Sequence, residues 1–250
     1  MKSIFYKILL AFSLFLTIGC GSTYYKPTPM TMPNFKEKDE LFLAVNAHAS
    51  LRGGDVQAAY AVTDHFAIQG NYMKNLVTVT EGTVFLNPYK ITKEIAFSEY
   101  AIGYFTQKDN LGTFSLFGGY GTGKVGNVVE NRGQATADFS KIFVQSSLGF
   151  REKNIEFVCS AKLAALQYTN LNHAYTSADD INRFNALKNT IPMIEFGGVM
   201  RFGGDVKLQL FVTSATKLGA NDLFQYDYFT VGFGICTQLN TKKKPKKATQ

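Results

Sequence analysis

Between Asp55 and Lys74 the chain changes polarity at nearly every step. Val56, Ala58, Tyr60 and Val62 alternate with Gln57, Ala59, Ala61 and Thr63, and after a polar turn at Asp64-His65 the alternation resumes with Phe66, Ile68, Gly70 and Tyr72. A period of two puts successive side chains on opposite faces, so this stretch reads as a β-hairpin with one apolar face. The same construction recurs along the chain and predicts ten strands. The first spans Leu41 to Ser50, and the hairpin supplies the next two. Ser98 to Gln107, Thr113 to Thr122, Lys141 to Phe150 and Ile155 to Ala165 follow. The last three are marked by Ile194 to Phe202, Val206 to Val212 and Phe229 to Ile235. At 250 residues, one all-β domain holds them all. We therefore expect an antiparallel up-and-down barrel of about ten strands, and the even count brings both ends of the sheet to one rim.

The ends of the chain are of different character. Lys2 and Lys7 flank a basic start, and Ile8 to Ile18 form an apolar run too short for a membrane-spanning helix, so residues 1–19 read as a signal peptide. Thr17-Ile18-Gly19-Cys20 resembles the lipobox of bacterial lipoproteins, although Thr17 stands where that pattern prefers Leu. The resemblance implies that Cys20 becomes the diacylated first residue of the mature chain and tethers it to a bilayer. Residues 20–40, with Pro27, Pro29 and Pro33 and no period, read as an extended linker that lifts the domain off the anchor. Residues 41–240 form the barrel, and 241–250 a basic tail.

Charge is concentrated at the same ends. The formal net charge is +7, but Lys2, Lys7, Lys242, Lys243, Lys244, Lys246 and Lys247 lie in the leader and tail. Removing these seven from the 26 basic residues leaves 19, against 19 acidic ones. The body is neutral and lacks the basic groove of a nucleic-acid binder. Cys159 and Cys236 fall on opposite parities, so no disulfide joins them across the sheet.

The expected connections alternate in length, with the short first one at Leu51-Gly54 as the one departure. Those at Thr63-His65, Gln107-Gly112, Arg151-Asn154 and Gly203-Asp205 are short, whereas Asn75-Phe97, Gly123-Ser140, Thr169-Pro192 and Ser214-Tyr228 are long. Outer-membrane barrels pair short periplasmic turns with long outer loops in this way. The face opposite the apolar one carries glycines with a few charges of both signs: Glu99, Arg151, Glu156, Lys162, Glu195, Arg201 and Lys207. Such a set suits a crowded lumen, where opposite charges pair, better than a water-facing exterior. Aromatic residues near both strand ends match interfacial girdles, and strands of roughly 9 to 11 residues match a tilted crossing.

Pro33-Asn34-Phe35-Lys36-Glu37-Lys38-Asp39-Glu40 and, further on, Gly54 to Ala67 are similar to a group of Bacteroidota outer-membrane lipoproteins with β-barrel bodies. The shared pattern is roughly P-x-F-x-E-K-x-E, then a glycine at Gly54 shortly before Q-x-A-Y-A-x-T-D-x-x-A from Gln57 to Ala67. It covers about the first third of the mature chain and implies place and fold, but no activity.

Motifs for chemistry are weak. Gly118 to Val125 approaches a phosphate-binding loop but has Val125 where Ser or Thr would hold magnesium, and reads as a strand end running into a glycine-rich loop. His173 with Asp179 and Asp180 shares the plan of omptin-type ten-stranded surface proteases, which set Asp and His pairs at that end of the barrel, but no second acidic pair accompanies it. No cofactor, metal set or catalytic group is expected. The reading is an outer-membrane barrel, lipid-anchored at Cys20, with a structural or surface-interaction role and no wide pore. Its partners are outer-membrane lipid and a surface ligand or protein met by the long loops. The alternatives are a soluble tethered barrel carrying a small apolar ligand, and a hydrolase borne on the loops.

Overall fold

The computed structural model describes residues 23–49, 53–81, 89–107, 112–219 and 223–242; the leader, Cys20 and most of the basic tail lie outside them. Ten strands form one closed antiparallel barrel in which each pairs with its sequence neighbours and the first closes on the last. They are β1 (Glu40–His48), β2 (Gly53–Ala61), β3 (Phe66–Glu81), β4 (Tyr89–Gln107), β5 (Thr113–Val129), β6 (Gly133–Glu152), β7 (Ile155–His173), β8 (Ile191–Gly203), β9 (Val206–Lys217) and β10 (Phe229–Asn240). Pairing of Glu40 with Asn240 brings both ends of the sheet to the rim that holds the short turns, as an even count requires.

Strand lengths depart from the sequence reading. β1, β2 and β8–β10 have 9 to 13 residues, but β3–β7 have 16 to 20. The connections expected at Asn75–Phe97 and Gly123–Ser140 are mostly strand, paired up to Glu81–Tyr89 and Val129–Gly133. β5 turns into β6 in three residues, with Asn131 and Gly133 at positive φ, so the alternation of short and long connections fails there. The glycine-rich run through Gly123-Lys124 is likewise strand interior, not a loop.

The reason lies in the polarity of the two faces. Along β3–β7 the outward residues of the lower wall, apart from Ser146, are apolar: Phe66 to Tyr72, Tyr100 to Tyr104, Phe114 to Tyr120, Ile142 to Phe150, and Ile155 to Leu163, each taken at alternate positions. One paired row, Tyr72–Ser98–Thr122–Ser140–Gln167, marks the change, and the next is Lys74–Ala96–Lys124–Asp138–Thr169. Inside, the rows on either side of the change differ in the opposite sense. Asn71, Glu99 and Lys141 line the lumen just below the change, while Met73, Phe97, Phe139 and Tyr168 line it just above. The apolar set thus moves from one parity to the other within continuous strands. A strict period-two reading ends the strand where its phase breaks.

Below that row the outer surface is a continuous apolar band. Ile102 is 63% exposed, Leu208 56% and Phe196 52%. Rings lie at both borders, and Tyr100 covers Gly70 across the strand pair, so that a Cβ at Gly70 would sit 3.3 Å from its ring.

Above the row, the inward faces of β3–β7 close a small apolar core. A short helix α1 (Ala178–Asn185) and the turn Ala186–Lys188 roof it with Phe184 and Leu187. The connection between β7 and β8 is therefore a packed lid.

Candidate functional site

The lumen is filled by the chain's own N-terminal segment. Residues 23–35 are buried, apart from a half-buried Lys26, although they form no strand of the wall. The irregular backbone agrees with the proline pattern. The expected position does not: these residues thread the barrel instead of spacing it from an anchor, so the boundary at residue 40 separates no independent linker. We call them the strap.

Its path is fixed by hydrogen bonds from the wall. At the rim with the longer connections, the Tyr24 N–H donates to Gln225 O, and the Asp227 N–H to Tyr25 O (2.9 and 2.8 Å). Down the lumen, strap carbonyls accept from wall side chains. Thr230 donates to Pro27 O, Asn71 to Pro29 O, Gln145 to Thr31 O, Arg201 to Met32 O and Gln238 to Asn34 O. At the far rim Phe35 packs against Phe105, 5.5 Å between ring centroids. Pro27, Pro29 and Pro33 carry no N–H, which reduces the donors an extended buried segment leaves unpaired. The wall leaves room for the strap at two glycines. A Cβ at Gly149 would meet Asn34 Oδ1 at 2.7 Å, and one at Gly197 would meet Met30 Sδ at 3.0 Å.

The lumen charges expected from sequence separate into two clusters. Glu99 and Lys162 meet at 2.9 Å, with Glu195 Oε2 3.8 Å from Lys162. Lys141, absent from the sequence prediction, completes a four-charge ring by reaching Glu99 at 2.5 Å and Glu195 at 3.0 Å. Its parity, adjacent to outward Ile142, carries the signal for an inward position. Two lysines and two glutamates make the ring neutral. Tyr25 of the strap bonds Glu195 and accepts from Lys141 at 2.9 Å; Thr28 donates to Glu99 at 3.3 Å. Aromatic faces complete the cage, with the Lys162 ammonium 4.5 Å from the Phe143 centroid and that of Lys141 5.0 Å from Phe97.

Glu156 gathers the second cluster near the short-turn rim. Arg201 bonds it, with Lys207 at 2.7 Å and Arg151 at 2.8 Å. A separate buried set joins Asp55 to Asn46 (2.7 Å), Gln57 (2.8 Å) and His48 (3.2 Å). These are filled, mutually bonded interiors rather than open sites.

The other candidates are not brought together as chemistry would need. His173 lies against rings, Tyr175 at 6.1 Å and Phe184 at 5.1 Å, while Asp180 turns toward Arg132 at 4.0 Å. Lys124 projects outward from β5, with Asp138 at 3.7 Å. Cys159 faces out and Cys236 faces in, both as free thiols. Among the described residues no group of His, Cys, Asp and Glu has a metal-holding arrangement. No protein-family model and no curated protein matches the chain.

Proposed function

We propose that this chain is a membrane-spanning outer-membrane barrel, lipidated at Cys20 and sealed by its own strap, with a structural or surface-interaction role rather than that of a diffusion pore. The observation that carries the reading is the exchange of polarity along β3–β7. Where the outside is apolar the inside holds the ion clusters among small and aromatic residues, and above one paired row the outside turns polar while the inside closes a largely apolar core. A barrel surrounded by water throughout has no physical reason to keep its outward apolar residues below that row and polar ones above it; one whose lower wall lies in a bilayer does. Nine consecutive strand residues, such as Ile142 to Phe150, at about 3.3 Å per residue and a tilt near 40° rise roughly 23 Å, close to the apolar height of outer-membrane walls. No helix among the described residues is long and apolar enough to cross a membrane, which bears only on helical spans.

The apolar-carrier alternative draws no support from the interior, since ions and the strap occupy its middle. The loop-borne hydrolase draws none from His173, which rests on rings. The polar upper wall, the lid and the Phe224-Tyr226-Tyr228 ring ladder form the part that would meet a surface ligand or protein.

The test is the Cys20→Ala chain with a cleavable signal. It is expected to need detergent for extraction from membranes and to migrate faster unheated than boiled. Release into the aqueous fraction by high salt or carbonate would overturn the reading.

A further inference from the structure

The strap has a direction, and direction decides where its far end emerges. β1 begins at the short-turn rim, where the Asp39 N–H donates to Ala61 O and the Thr241 N–H to Asp39 O, so the C-terminal tail departs from that same rim. Going backwards from Asp39, the chain enters the lumen at Phe35, passes Arg201, Gln145 and the four-charge ring, and leaves between Gln225 and Asp227 at the opposite rim. Thr23 is therefore at the rim bearing the lid, bonded by Lys93 at 2.9 Å.

Cys20 precedes Thr23 by three residues, and three extended residues reach about 10 Å. Return to the short-turn leaflet would need roughly 25 Å of apolar wall to be crossed again. Among the described residues the lumen is filled at the level of Glu99, Lys141, Lys162 and Glu195, where Tyr25 and Thr28 bond the carboxylates and the charged side chains are buried.

Building on the membrane-barrel reading, we propose that the acylated Cys20 anchors in the leaflet on the lid side, opposite the face from which the lysine tail emerges. The chain thus carries its own lipid attachment point through its barrel. Acyl chains cannot follow through a closed, ion-paired lumen, so the N-terminal end has to be in place before β1 joins β10, and that seam closes around the strap.

The test is cysteine labelling of the full chain in cells, in a Cys159→Ser/Cys236→Ser background that keeps Cys20. Ser22→Cys probes the anchor side, Leu223→Cys the lid rim, and Lys243→Cys the tail. A membrane-impermeant maleimide is applied before and after the outer membrane is opened, and mass spectrometry reads acylation of Cys20. The expected result is that Ser22→Cys and Leu223→Cys react in the same preparation and Lys243→Cys only in the other, with Cys20 acylated. Reaction of Ser22→Cys together with Lys243→Cys, while Leu223→Cys stays apart, would overturn the leaflet assignment and leave the spanning barrel standing. Reaction of all three in one preparation would overturn both, and an unmodified Cys20 would overturn the anchor.

Discussion

Lys141 and Leu163 are each one substitution away from opposite failures. Lys141 is fully buried between two carboxylates, and Lys141→Met would leave Glu99 and Glu195 sharing Lys162 alone. Breaking a buried pair from one side costs about 3–5 kcal/mol, whereas removing both partners is far milder. The single variant is thus expected to lose folded, fast-migrating barrel at a clearly lower temperature, and Lys141→Met/Glu195→Met to recover most of the loss. Leu163 projects outward between Val144 and Ile194. On the proposed membrane reading, Leu163→Arg costs about 2–4 kcal/mol, as a charge near the middle of a lipid-facing wall does. In a water-surrounded barrel it would cost almost nothing, so urea titration in lipid vesicles separates the two. The inward charges were legible because a strand alternates. Their grouping was not, since Glu99, Lys141, Lys162 and Glu195 come from four strands whose register no local pattern specifies.

The strap is the element whose role the sequence concealed. Three prolines and no periodicity describe an exposed linker and a buried threaded segment equally well. What distinguishes them is the row of wall donors, Asn71, Gln145, Arg201, Gln238 and Thr230, which converge only once the barrel has closed. Deleting residues 23–34 is expected to lower the temperature of the heat-induced mobility shift and to open ion conductance in planar bilayers that the full chain lacks. Its base is held by Asp39, at φ 66°, which accepts from Lys242 at 3.0 Å and Tyr60 at 2.8 Å. Those bonds, that from Lys242 first, hold the Asp39 carboxyl below its usual range. A carboxyl whose folded value is depressed contributes above its unfolded value, about 3.9, and that contribution fades as pH falls through the folded one. Proteolysis at the start of the tail is therefore expected to accelerate only at strongly acid pH, and Asp39→Asn to remove the pH dependence.

For the whole molecule, the wall is taller on one side than on the other. β3–β7 continue past the apolar band and, with the roof from α1, build a second core over the strap. On the proposed membrane reading one sheet meets two solvents: an apolar one around the lower wall, and water around the upper. Each long strand answers with a half-period slip of its apolar set. On β4 the set passes from Tyr104, Ile102 and Tyr100 to Phe97, Ile95 and Ile91. Lengthening the lower wall's chemistry upward, as in Thr122→Leu/Lys124→Leu, is expected to leave the fold intact but make the lid side prone to association, measured by light scattering in mild detergent. These sites are solvent-facing in the proposed arrangement.

By itself the sequence determined what depends on near neighbours: strand type and number, the even closure, the outward parity of the lower wall, and the separation of Cys159 from Cys236 onto opposite faces. All of these follow from the two-residue period of an extended chain. Only the tertiary structure decided the strand lengths, the ionic ring and the path of residues 23–35. Each rests on contacts between residues tens to hundreds of positions apart, such as Tyr25 with Glu195 or Asn34 with Gln238, and these come into being only when β1 meets β10.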